Sequence, residues 1–296
     1  MTMLTVEHTT VYRYARPVAL HEHRLMCRPR DSHDLRLIET GLTITPAASV
    51  RWLHDVFGNS IAIASFEEEA TDLSFVSTFH AEHFPNEPQK LEVEEFARYL
   101  PFSYSVQEIA DLGRTSERHY PDPLHRVDLW AKSFVLREEG NPETLDVLMA
   151  MNAAIKEQFT YARREEMGVQ TPEETLDKGS GSCRDFAVFM MEAVRSLGLA
   201  ARFVSGYLYD ASLVGAEVDE GTEVVGGGAT HAWMQVYLPG AGWVEFDPTN
   251  ALFGGRNLIR VAVARDASQA VPLTGSFTGA SNDYLGMSVD VKVSVA

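Results

Sequence analysis

Up to about residue 85, apolar and polar positions alternate in short runs bounded by turn residues, the pattern of strands half-buried in a sheet. Residues 5–14 are β-branched and aromatic, and 35–44 alternate apolar positions with threonine. Residues 51–57 run into the turn dipeptide Gly58-Asn59, 60–66 resume the strand pattern, and 72–79 form a further run of Thr, Ser, Val and Phe. Short strands at this spacing predict an antiparallel, sandwich-like domain over 1–85. Pro85, Pro88 and Pro101 then punctuate a charged stretch, so 86–120 reads as a connecting segment.

From residue 121 the period lengthens. Leu124, Val127, Trp130, Ala131, Phe134 and Val135 form one apolar stripe at helical spacing. Asn141-Pro142 offers a helix start, with Asn as N-cap and Pro in the first turn. Leu145, Leu148, Met149, Asn152, Ile155 and Phe159 keep the spacing beyond it. A third helix over 183–197 buries Phe186, Phe189, Met190, Ala193, Val194 and Leu197 and stops at Gly198. Residues 201–209, 230–238 and 243–246 read as strands, the last two a hairpin around Pro239-Gly240-Ala241-Gly242. The acidic, glycine-rich loop 210–229 between the first two is either a lid over a neighbouring site or a mobile insertion. Segregated strands and helices make the fold α+β, with 121–296 as one core that includes the C-terminal strands.

The chain has 296 residues, 42 acidic against 25 basic, and a formal net charge of −17. Such a field repels phosphate backbones and anionic lipid heads, which argues against nucleic acid and membranes as partners. No run approaches the ~20 apolar residues that span a bilayer. The start lacks the basic and apolar regions of a secretory signal, so a cytoplasmic location is expected. There Cys27 and Cys183 are expected as free thiols.

The two thiols differ in setting. Gly179-Ser180-Gly181-Ser182-Cys183 places Cys183 in the first turn of a helix, where unpaired N–H groups and the positive end of the helix dipole favour a thiolate. The same N–H groups can receive the oxyanion of a tetrahedral intermediate. A buried structural cysteine is expected within the apolar stripe, which starts only at Phe186. A thiol nucleophile needs a base, and the base an orienting acceptor. His231 opens one hairpin strand and Asp247 closes the other, so antiparallel pairing sets them side by side. Asp247 can hold one imidazole nitrogen while the other faces Cys183.

The run Gly181-Ser182-Cys183-Arg184-Asp185-Phe186-Ala187, with Ala201-Arg202-Phe203-Val204-Ser205-Gly206-Tyr207, resembles the core of the transglutaminase-like superfamily. His231-Ala232-Trp233 and Gly242-Trp243-Val244-Glu245-Phe246-Asp247-Pro248-Thr249 match its His and Asp blocks in order. Tyr12-Arg13-Tyr14 and Gly58-Asn59 are similar to the β-rich region ahead of this core in many bacterial members. The resemblance implies a papain-like core, its nucleophile at a helix N-terminus packed on an antiparallel sheet, and a catalytic Cys183, His231 and Asp247. It also implies oxyanion donors at the Cys183 N–H and at an upstream group, for which Tyr161 is the candidate. Trp233 and Trp243 are candidates for the cleft wall. Arg184 and Asp185 read as structural, an ion pair bracing the helix start.

Other chemistries find less support. His21-Glu22-His23 with Cys27 lacks a second ligand cluster, Gly179-Ser180-Gly181 lacks the Lys-Ser/Thr of a phosphate loop, and no Gly-x-Ser-x-Gly elbow occurs. No metal or cofactor is called for. The expected function is cleavage of peptide or amide bonds in a protein or peptide substrate through a thioester, as a cysteine protease or amidase. Acyl transfer to an amine, or a non-catalytic peptide-binding module of the same fold, stand as alternatives. Oligomeric state is left open.

Overall fold

A computed structural model describes residues 2–84, 91–136, 140–164, 167–209, 229–255 and 257–295. The lid-or-insertion expectation for 210–229 falls on residues outside these, 229 excepted. Six strands open the chain: β1 (Thr2–Leu20), β2 (His23–Leu25), β3 (Leu35–Thr45), β4 (Ser49–His54), β5 (Ser60–Ser65) and β6 (Glu69–His83). They divide between two antiparallel sheets, with β1, β6 and β3 adjacent in one and β2, β5 and β4 in the other. Period-two burial along β1 and β6 turns one side of each strand inward. Tyr14, Val18, Leu25, Ala62, Leu73 and Phe75 meet between the sheets. This is the sandwich-like arrangement expected from the strand spacing.

The core follows. Helices α1 (Val106–Leu112), α2 (Arg126–Lys132) and α3 (Thr144–Gln158) precede β7 (Thr160–Tyr161), α4 (Pro172–Lys178), β8 (Ser180–Gly181) and α5 (Cys183–Ser196). Then come β9 (Ala201–Leu208), β10 (His231–Leu238), β11 (Gly242–Asp247), β12 (Leu252–Phe253) and β13 (Leu258–Ala264), an antiparallel sheet ordered β12-β11-β10-β9-β13. Ala232, Met234, Val236 and Phe246 turn one face of this sheet onto Phe186, Phe189, Met190 and Val194 of α5. Leu148, Met151 and Ile155 of α3 cover the same core from the other side. Twelve of the fourteen α5 residues are buried, Asp185, Glu192 and Arg195 among them. The apolar stripe read from the sequence is therefore part of a helix buried nearly all round.

Several boundaries differ from expectation for local reasons. Helix α3 starts at Thr144, not Asn141-Pro142, because 141–143 are held extended: the Leu100 N–H donates to the Pro142 carbonyl and Tyr99 bridges to Glu143. Helix α2 excludes Leu124, which is exposed, because Asp122 accepts the Arg126 and Asp128 N–H groups and fixes the start beyond it. Residues 91–120 are packed against the core: the Tyr104 hydroxyl donates to the Tyr237 carbonyl and accepts from the Ala200 N–H. The strands β14 (Leu273–Thr274), β15 (Phe277–Thr278) and β16 (Tyr284–Val295), grouped with the core in the sequence, join the N-terminal sheets. Strand β16 runs beside β1 from Tyr14↔Tyr284 to Leu4↔Val295.

The two halves meet over an interface with polar inserts. The Asn59 side chain donates to the Val263 carbonyl and accepts from the Val263 N–H, so the Gly58-Asn59 turn caps the edge strand β13. His8 hydrogen-bonds the Tyr207 hydroxyl and His83 the Tyr209 hydroxyl, each at 2.9 Å. Burial lowers both histidines to about 4. A group whose folded pKa lies below its unfolded value loses stability as the pH falls between the two. The melting temperature should therefore drop more steeply from pH 6.5 to 4.5 in the wild type than in a His8→Asn/His83→Asn double variant, as thermal denaturation across that range will show.

Candidate active site

Local structure places Cys183 at a helix mouth. Thr171 caps α4, with Pro172 in its first turn and Glu174 returning to the Thr171 N–H. The helix ends at Gly179, in the left-handed region (φ 56°). Two residues then pair in parallel with β7, Tyr161 opposite Gly181. At Gly181 a Cβ would stand 2.8 Å from the Cβ of Asp185, so only glycine lets the chain pass this close to the helix it enters. Cys183 is the first residue of α5 and 8% exposed.

Asp185 ties this corner together. One carboxylate oxygen accepts the Ser182 N–H and hydroxyl, both at 2.8 Å; the other accepts the Gln170 N–H and Arg164 Nη1, both at 2.7 Å. These bonds hold its carboxylate below the usual range although burial pushes the other way. The ion pair bracing the helix start is thus Asp185 with Arg164, not with Arg184, as two neighbouring helical residues do not face each other.

The hairpin brings the second and third residues together. With Met234 opposite Phe246 in β10–β11, His231 Nε2 donates to Asp247 Oδ2 at 2.8 Å, both side chains fully buried. The loop after Asp247 completes the carboxylate's shell: the Thr249 N–H donates to Oδ1 and Asn250 Nδ2 to Oδ2. Helix α3 pins that loop, Lys156 donating to the Asn250 carbonyl and Asn152 to the Leu252 carbonyl. His231 Nδ1 makes no hydrogen bond among the described residues, and Cys183 lies near enough to act on the imidazole.

Of the other candidates, Tyr161 lies half-buried next to Cys183; burial first, then Cys183, raise its phenol above the ordinary value. The Trp233 indole stacks on the His231 ring, centroids 5.9 Å apart at 25°. Gly206 makes room for it, since a Cβ there would stand 2.7 Å from the indole. Trp243 lies four residues from Asp247 at the far end of β11, stacked on the Arg202 guanidinium, and borders a different cavity. Asn250 and Thr249 were missed by sequence reasoning; the turn signal of Asp247-Pro248 was the hint that residues just beyond could fold back.

Comparison with known proteins identifies the family. Residues 4–82 match the bacterial transglutaminase-like N-terminal region and 132–248 the transglutaminase-like superfamily. The uncharacterized protein Rv2569c of Mycobacterium tuberculosis is 30% identical over 300 residues, 97% of this chain and 91% of its own length. The chain belongs to the transglutaminase-like superfamily. A protein-glutamine gamma-glutamyltransferase of Pseudomonas aeruginosa is 27% identical over 189 residues, 62% of this chain and 27% of that protein. The crystal structure of a Cytophaga hutchinsonii protein, proposed to be a cysteine protease, superposes with a TM-score of 0.66 at 18% identity, covering all of this chain and 90% of that one. It shares the fold.

Within that superfamily's core the electrostatics follow from burial and pairing. Burial alone would lower the His231 imidazole; the Asp247 carboxylate and Cys183 outweigh it and bring it up to about 10. Asp247 is held below its ordinary value against its own burial, by His231 and by the Asn250 and Thr249 donors. At neutral pH the pair is an imidazolium on a carboxylate, with the Nδ1 N–H left without a hydrogen-bond partner among the described residues and Cys183 close by. Such a set can activate a thiol and carry a proton to and from a reacting group.

Proposed function

We propose that this chain is a thiol enzyme that opens amide bonds of protein or peptide substrates through a thioester and hydrolyses the acyl-enzyme. The observation that carries this is the buried His231–Asp247 pair aimed at a cysteine in the first turn of α5. Cys183 attacks the carbonyl carbon as thiolate, and the developing oxyanion is met by the Cys183 N–H and the Tyr161 hydroxyl. His231 Nδ1 gives its proton to the departing amine nitrogen as the C–N bond breaks. Water then attacks the thioester, His231 accepts its proton, and the carboxylic acid leaves as the thiolate–imidazolium pair is restored. Asp247 keeps the imidazole in one tautomer and plane throughout.

Acyl transfer differs only in the second half, with a primary amine in place of water. The Pseudomonas aeruginosa relative favours that reading. Hydrolysis requires less, because an amine must be bound and kept ahead of water at its bulk concentration. A glutamine peptide incubated with a labelled amine should be deamidated with little label incorporated. Incorporation matching deamidation would overturn the hydrolytic reading.

A peptide-binding module without chemistry would have no use for a buried His231–Asp247 pair beside a cysteine at a helix mouth. Iodoacetamide should label Cys183 of the wild type faster at pH 7 than Cys183 of a His231→Ala variant, because the imidazole that takes the thiol proton is gone. Mass spectrometry of the Cys183 peptide provides the readout, and equal rates would support the binding module.

A further inference from the structure

We infer that a cavity of about 400 Å³ between the N-terminal sandwich and the outer face of the core sheet, bordered by Arg30, Arg202, Trp243 and Arg260, is a binding site for a small anion carrying a carboxylate or phosphate group. The floor is laid by cross-strand pairing. Arg202 on β9, Gln235 on β10 and Glu245 on β11 are direct neighbours across three strands. Arg202 Nε donates to Gln235 Oε1 at 2.7 Å, and Gln235 Nε2 donates to Glu245 Oε1 at 2.9 Å. The guanidinium carbon of Arg202 sits 4.1 Å from the Trp243 ring centroid. Held at one nitrogen and flat against an indole, the guanidinium is pre-set for fork-like recognition of an oxyanion.

The charge count leaves a gap at this place. Two carboxylates border the cavity, Asp34 and Glu245, and Arg260 engages both: Nη1 reaches Glu245 at 2.7 Å and Nη2 reaches Asp34 at 3.1 Å. Arg202 is left with an amide and a ring face, and Arg30 with the Phe57 carbonyl at 3.3 Å. Among the described residues neither guanidinium is in an ion pair, Glu245 acting on Arg202 only from beyond ion-pair distance, so two arginines face one cavity with their charge largely unmatched in a chain whose net charge is −17. Burial lowers the Arg202 guanidinium to about 9, a penalty that a bound anion would offset. Phe57, Leu91 and Trp243 supply apolar wall for an organic body, and the volume fits small-molecule sites. Trp233 stands between this floor and His231 on the same face of β10, so the site is separate from Cys183 and does not depend on the acyl-transfer reading.

The test is thermal denaturation of the full chain with sodium glutarate or inorganic phosphate, against sodium chloride at equal ionic strength. At about ten times the Kd, the melting temperature should rise by roughly 2–4 °C with one or both probes, and the probe that acts identifies the group. Cys183→Ala should show the same rise, and Arg202→Gln should show none. If Arg202→Gln does not fold, Arg202→Lys keeps the charge but loses the fork, and its rise should be less than half that of the wild type. No rise with either probe, or an undiminished rise in the arginine variants, overturns the site.

Discussion

A Cys183→Ala variant is expected to melt within a few degrees of the wild type and to lose the proposed amide-opening turnover by at least ~10⁴-fold. The two halves of this expectation rest on different observations. Removing one sulfur from the margin of a core otherwise built on Phe186, Phe189 and Met190 costs about 1 kcal/mol. Alanine is also the best helix former for the first turn of α5. Activity, by contrast, loses the atom that forms the thioester, and what remains is binding and oxyanion stabilisation. His231→Ala should lose nearly as much, and the Cys183→Ala/His231→Ala double variant no more than either alone, because a base has nothing to activate once the nucleophile is gone. Asp247→Asn should cost less, ~10²–10⁴-fold, since an amide oxygen can still accept from His231 Nε2 while the charge that raises the imidazole is lost. Full kinetics on any amide substrate that is turned over settle these points. Independent, multiplying losses in the double variant would sink the shared mechanism.

What the sequence disclosed here, and what it withheld, divides by the range of the interactions. The helix mouth at Cys183 was legible because Gly181, Ser182 and the stripe from Phe186 all lie within one turn of it. The hairpin was legible because its turn, Pro239 to Gly242, joins two strands next to each other in sequence, and register then put His231 beside Asp247. The fold class and the superfamily followed from those same blocks. The return of β16 to β1 pairs residues some 270–290 apart in sequence, and period-two patterning names a strand without naming its partner. Helix α4 has its start written as Thr171-Pro172-Glu173-Glu174, a capping box with proline in the first turn, but seven residues are too few to show a helical stripe. Burial of charge was the least visible feature. Asp185, Glu192 and Arg195 are of types that usually face water, and beyond Ser182 and the Glu192–Arg195 pair itself their partners come from segments that only the tertiary fold brings near.

Those buried charges support the second large expectation. Glu192→Ala should lower the melting temperature by roughly 6–12 °C, about 3–5 kcal/mol, a loss of the size seen when one partner of a buried ion pair is removed. Glu192 and Arg195 bond at 2.8 Å with both side chains 1% exposed, one turn apart on α5. The guanidinium is used on every side: it also donates to the carbonyls of Thr115, Ala201 and Arg265. Glu192 in turn accepts the His119 and Tyr120 N–H groups. The pair thus fastens the segment ahead of α2 and the ends of β9 and β13 to the helix that presents Cys183. Alanine at 192 strands a buried guanidinium and two N–H groups at once. Glu192→Gln keeps an acceptor for those N–H groups and loses only the charge, so its decrease should be about half as large. A Glu192→Met/Arg195→Met double variant removes both charges and should fall between the two, still destabilised because five backbone groups lose their side-chain partners. Calorimetry on the four proteins provides the ranking. A Glu192→Ala variant as stable as the wild type would mean that α5 is held by its apolar contacts alone, and that this polar clamp plays no part in positioning the helix mouth.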